Sequence, residues 1–147
     1  MKRNIFTAVL IILVLAFAVS CKTAPSAADD VEAALNYVYD KYRGDIILDG
    51  AKSYTVVSGD TLAHISSAQY GNGFYFPLIM LASSDVVVDQ DKIRPGMVLT
   101  VPDLQKNMDN ATAKRRIKSY LLEIARIEDE RGRPADAQGL RDLSGSL

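Results

Sequence analysis

The chain has one cysteine, Cys21, and one histidine, His64, among its 147 residues. A single thiol closes no internal disulfide, so the fold must rest on its own apolar core. One histidine and one distant cysteine supply no ligand set at metal spacing, and neither a metal nor a cofactor is expected. Basic excess is missing too: 17 Lys and Arg face 18 Asp and Glu. That balance offers no clustered basic face of the kind nucleic acid requires. The apolar run from Ile5 to Val19, broken only by Thr7, makes about 22 Å of helix. A bilayer core needs about 20 apolar residues, so a permanent span is disfavoured. No nucleophile–base pair stands out, no segment repeats, and no enzyme is expected.

What is present begins at the N-terminus. Lys2 and Arg3 precede the apolar run, and small residues follow it, the order of a secretory signal. Ala18-Val19-Ser20-Cys21 resembles the lipobox of bacterial lipoproteins, with Ala18 where that family usually has leucine. The resemblance implies removal of residues 1–20, a lipid on Cys21, and a protein exported to the cell envelope. There it would be held at the inner or outer membrane, or at the cell surface. More than one acyl chain gives stable anchoring, since each buried methylene contributes about 0.8 kcal/mol. Seventeen basic residues less Lys2 and Arg3 then face 18 acidic ones, a net of −3. Residues 21–28 read as the lipidated cysteine and a flexible tether.

Beyond the tether, Val31, Ala34, Leu35, Val38 and Tyr42 fall on one stripe of a helix, giving a helix-and-loop segment over 29–52. Ile46-Ile47-Leu48 within it has the composition of a short strand. Tyr54-Thr55-Val56-Val57 is strand-like, and Ser58-Gly59-Asp60-Thr61 is a turn whose Asp60 or Thr61 can cap a helix. Gly71-Asn72-Gly73 breaks that helix, and Phe76-Pro77 starts another. Val98-Leu99-Thr100-Val101 is a second strand ending at Pro102. Two strands alone are marginal, so the helices must cover one face of the sheet. Ile117, Leu121 and Ile124 mark a C-terminal helix within 104–131. Residues 132–147 read as a loose tail.

The segment 53–103 carries a family pattern. Tyr54-Thr55-Val56, Gly59-Asp60-Thr61-Leu62 and Ile65 at its opening, and Ile93-Arg94-Pro95-Gly96 through Pro102 at its close, resemble a LysM module. The resemblance implies an α+β fold: one βααβ unit, a two-stranded antiparallel sheet with two helices on one face. An N-terminal and a C-terminal helix would flank it. It also implies binding of N-acetylglucosamine-containing glycan, peptidoglycan above all, in a shallow groove without catalysis. Carried over by position, Gly59, Asp60, Thr61 and Leu62 form one side of that groove. Ile79, Ala82, Ser83 and Ser84 form the other. Phe76 stands where the family often has tryptophan, and Ser83 where it often has asparagine.

Lipobox and LysM pattern together describe a lipoprotein bridging membrane and cell wall. The competing expectation is a LysM fold used for protein–protein contact. Val86-Val87-Val88 and the stripes on the flanking helices suit that use. His64 reads as a solvent-facing helix residue. Asp85, Asp89 and Asp91 read as charges that keep a loop solvated.

Overall fold

The computed structural model describes residues 27–147; the signal segment, Cys21 and most of the tether lie outside the described residues. The first helix, α1 (Ala27–Tyr42), buries Leu35, Val38, Tyr39 and Tyr42. These residues recur at helical spacing, which is why one face turns inward. Asp29 and Asp30 occupy its first turn, where carboxylates complement the helix dipole. No strand forms at 46–48. Instead the Asn107 side chain donates to the Ile47 carbonyl (2.9 Å) and accepts from the Ile47 amide (2.8 Å). A side-chain amide thus serves Ile47 as a neighbouring strand would.

Strand β1 (Lys52–Thr55) pairs antiparallel with β2 (Val98–Val101), Tyr54 opposite Leu99. Between them run α2 (Leu62–Tyr70) and α3 (Phe76–Ala82). Thr61 caps α2 by accepting from the His64 amide at 3.1 Å. Gly71 ends the helix at φ 76°, a left-handed position that glycine takes without a Cβ clash. Helix α3 is buried along most of its length, Leu78 and Ile79 completely. The segment is βααβ, as its sequence pattern implies.

The C-terminal third is helical throughout. The helix expected within 104–131 is two: α4 (Leu104–Asp109) and α5 (Ala111–Glu130), divided at Asn110. The Asn110 carboxamide accepts from the amides of Thr112 and Ala113 at 3.0 and 2.9 Å, so the chain restarts a helix there. Basic residues near the start of α5 oppose the helix dipole. Arg116 answers this by pairing with Asp45 at 2.6 Å and lying 4.7 Å from the centre of the Tyr42 ring.

The expected loose tail is corrected: α6 (Pro134–Ser146) packs on α5 and buries Ala137, Leu140, Leu143 and Ser144. Gly132-Arg133-Pro134, where that tail was expected to begin, is a left-handed turn followed by proline at the start of a helix, where its fixed φ is an advantage. Gly139 lets α6 lie on Phe74; a Cβ there would sit 2.1 Å from the ring.

One core joins all of this. Leu35 and Tyr39 from α1, Leu62 and Ile65 from α2, Leu78 to Leu81 from α3, and Ile117, Leu121 and Ile124 from α5 pack as a single cluster. Each fully buried large side chain contributes about 1.5–3 kcal/mol. No helix among the described residues is long and apolar enough to cross a membrane.

Candidate functional site

The turn after β1 is built around Asp60. Its Oδ2 accepts from the Tyr54 hydroxyl and from the Val57 amide, both at 2.9 Å. Gly59 sits at φ 92°, which a side chain would resist. Asp60 therefore has a structural duty, and its bond to Tyr54 pushes the phenol pKa up. Next along the chain, Thr61 is exposed and Leu62 is buried. This turn lies beside an open groove of about 360 Å³.

One side of the groove is Asp60 to Ala63. Opposite stand Gln90, Asp91 and Ile93, from the loop before β2, and a third wall comes from Arg133 and Asp136 at the start of α6. Of the eight residues expected to touch glycan, Asp60, Thr61 and Leu62 line this groove, and exposed Gly59 is in the same turn. The other four do not line it. Ile79 is fully buried, so the expectation that it touches ligand is corrected: it is core beneath the site. Ser83 is corrected likewise. It is 2% exposed, and its Oγ accepts from the Thr100 amide at 2.8 Å and donates to the Thr100 carbonyl at 3.3 Å. Ser83 clamps β2 to the end of α3, its only hydroxyl proton is committed to Thr100, and its burial keeps it from the groove. Ala82 and Ser84 are half-buried beside it. His64 is exposed next to Ala63.

The sequence pattern put Ile79, Ala82, Ser83 and Ser84 on the second flank and missed Gln90, Asp91 and Ile93, which line it further along the loop before β2. It also missed the third wall, whose residues lie far along the chain from the family pattern. The carboxylates of that loop do more than hold it in water. Asp89 is buried and takes two bonds from Arg131 Nη2, at 2.9 and 3.1 Å. Asp91 accepts from Arg131 at 2.7 Å and from Arg133. Glu128, also buried, faces both arginines and accepts from Gln90 at 3.1 Å. Burial raises the Glu128 pKa although the two arginines oppose it. The Tyr39 hydroxyl bonds the Val88 carbonyl at 2.6 Å. In the valine run, Val87 is core, Val88 is half-buried and Val86 is 49% exposed.

A larger cleft, about 610 Å³, opens between the start of α1 and the end of α5 and shares Asp91 with the groove. Val31, Ala34 and Ile127 make its apolar part. Among the described residues, no group of three His, Cys, Asp or Glu side chains is arranged to hold a metal ion.

A two-stranded antiparallel sheet, two helices between its strands and a Gly-Asp-Thr-Leu turn after the first strand are the features of a LysM module. Residues 54–102 match the LysM domain family, and the chain contains that domain. LysM is a binding module and not a catalytic one, and such domains bind N-acetylglucosamine glycans such as peptidoglycan. The chain is also similar to a potassium binding protein, Kbp, of Escherichia coli O6:H1. The two are 46% identical over 50 residues, 34% of each chain. The likeness thus spans about a third of that relative's length. No solved structure matches.

Proposed function

We propose that this protein is a membrane-anchored envelope lipoprotein that binds N-acetylglucosamine-containing glycan in the groove beside Asp60–Ala63. Its observational support is that this groove opens at the Gly-Asp-Thr-Leu turn of a matched LysM domain. The chemistry suits the ligand. An N-acetyl methyl can pack on Ala63 and Ile93, while its amide pairs with backbone groups at the turn. The lipid on Cys21 would hold one end of a bridge and the wall glycan the other. The cation in the relative's name stays with that protein, since the likeness covers only a third of it.

Purified peptidoglycan should retain the fragment 22–147 well above a control protein; equal retention ends the glycan reading. Cys21→Ala should release the full chain from membranes without loss of wall binding. Membrane retention of that variant would favour an uncleaved helix.

A second reading is a scaffold module without sugar affinity. It is favoured by the occupation of Ser83 with β2 and by the exposure of Val86. Crosslinking in cells that yields one dominant protein adduct, with no wall binding, would select it.

A further inference from the structure

We propose that the C-terminal helix completes the sugar site: Asp136, outside the LysM domain, is a ligand-binding residue that accepts a hydrogen bond from the glycan in the groove. The proposal rests on the glycan reading above and extends it to a residue that the LysM pattern does not contain.

Two observations support it. First, the wall that carries Asp136 is fixed in place. Helix α6 is buried against α5 through Ala137, Leu140 and Leu143, and Gly139 sets it on Phe74 of the LysM domain. Just before it, Arg133 bonds Asp91 on the facing wall and pairs with buried Glu128. A wall held at both ends presents its side chains in a defined place, as a binding residue needs.

Second, the other charged groups of the groove are already engaged. Asp60 holds Tyr54 and Val57, Asp91 holds Arg131 and Arg133, and Arg133 is held by Asp91. Asp136 is half-exposed, and among the described residues its carboxylate has no hydrogen-bond or ion-pair partner. A carboxylate only accepts hydrogen bonds, while sugar hydroxyls and the N-acetyl amide offer donors. Bonds to a charged acceptor are about twice as strong as neutral ones. The plain alternative is a solvated acid in the first turn of a helix, where the dipole favours it. The two differ in what they predict for ligand.

Calorimetric titration of the full chain in detergent with a soluble N-acetylglucosamine tetramer separates them. Asp136→Ala should weaken binding by about tenfold, the loss of one charge-assisted bond. Asp136→Asn, which keeps an acceptor of the same shape, should recover part of that loss. Both variants should melt with the wild type, and the Asn variant stands in if the Ala variant does not fold. Thr61→Asp serves as the check on the parent reading, because aspartate still caps α2 but puts a charge into the groove. If wild type binds and Thr61→Asp does not, while both Asp136 variants bind within threefold of wild type, the proposal is overturned and the glycan reading stands. If wild type itself shows no binding, the glycan reading fails first, and the proposal with it.

Discussion

The LysM domain and the helices around it are held together by different means. Within residues 54–102 the turns between elements are set by backbone and small side chains. Caps at Thr61, Asn72 and Asp89 and left-handed glycines at 59, 71 and 96 fix them. The helices are held by packed side chains and charge pairs. The dividing line is sharp in the ion pairs: among the described residues, none joins two residues of the LysM domain. Its charged groups that do pair, Asp85, Asp89, Asp91 and Lys92, all reach across to the helices. All four belong to the loop that flanks the groove. The module carries its own fold pattern, yet the loop that flanks its groove is fastened from outside.

The strongest way to break that arrangement is Arg131→Ala. It leaves Asp89 and Glu128 buried without their principal cation, and loss of one member of a buried pair costs about 3–5 kcal/mol. Urea denaturation should show a loss in that range. An effect under about 1 kcal/mol would mean that the loop is held by packing alone. Gly139→Ala comes next. The new Cβ displaces the Phe74 ring, an overpacking cost of about 1–3 kcal/mol, read in the same assay. Ser83→Ala acts inside the LysM domain and removes the clamp on Thr100, with an expected cost of about 1 kcal/mol. Hydrogen exchange should quicken at the Thr100 amide while α5 stays protected.

The smallest effect is a pH dependence at Glu128. Burial raises its folded pKa, so the fold favours its protonated form. The stability it contributes is present below the usual carboxylate range and is lost as pH rises through the raised value. Glu128→Gln should therefore gain stability relative to wild type as pH rises from below the usual carboxylate range through the raised value, in paired urea midpoints. A constant difference across that interval would show that the group titrates alike in both states.

These contrasts also explain what could be read in the sequence. The LysM domain was legible because turns and caps are local: Gly59, Thr61, Pro95 and Gly96 announce themselves within a few residues. Helix α1 was legible by its stripe. Helix α6 was not, because its buried face is made of small residues and a few leucines, and Gly139 looks like a breaker unless Phe74 is known to lie on it. The groove was half legible. Thr61 and Asp60 follow from the pattern, but Ile79 and Ser83 could be assigned inward only once the helices covered them. Pairs such as Arg131 with Asp89 join residues far apart in the chain, and no local spacing reveals them.

Two tyrosines tie the regions together: Tyr39 bonds the Val88 carbonyl and Tyr120 the Pro77 carbonyl, each ring fully buried. Burial keeps both phenols un-ionised well beyond their ordinary range. The chain has no tryptophan, so phenolate formation is read without an indole background, and Tyr39→Phe and Tyr120→Phe variants separate these two rings from the other five tyrosines. The protein thus carries a built-in optical gauge of its seam. In an alkaline jump, slow growth of phenolate absorbance from these two rings would time the parting of the LysM domain from its helices, without any added label.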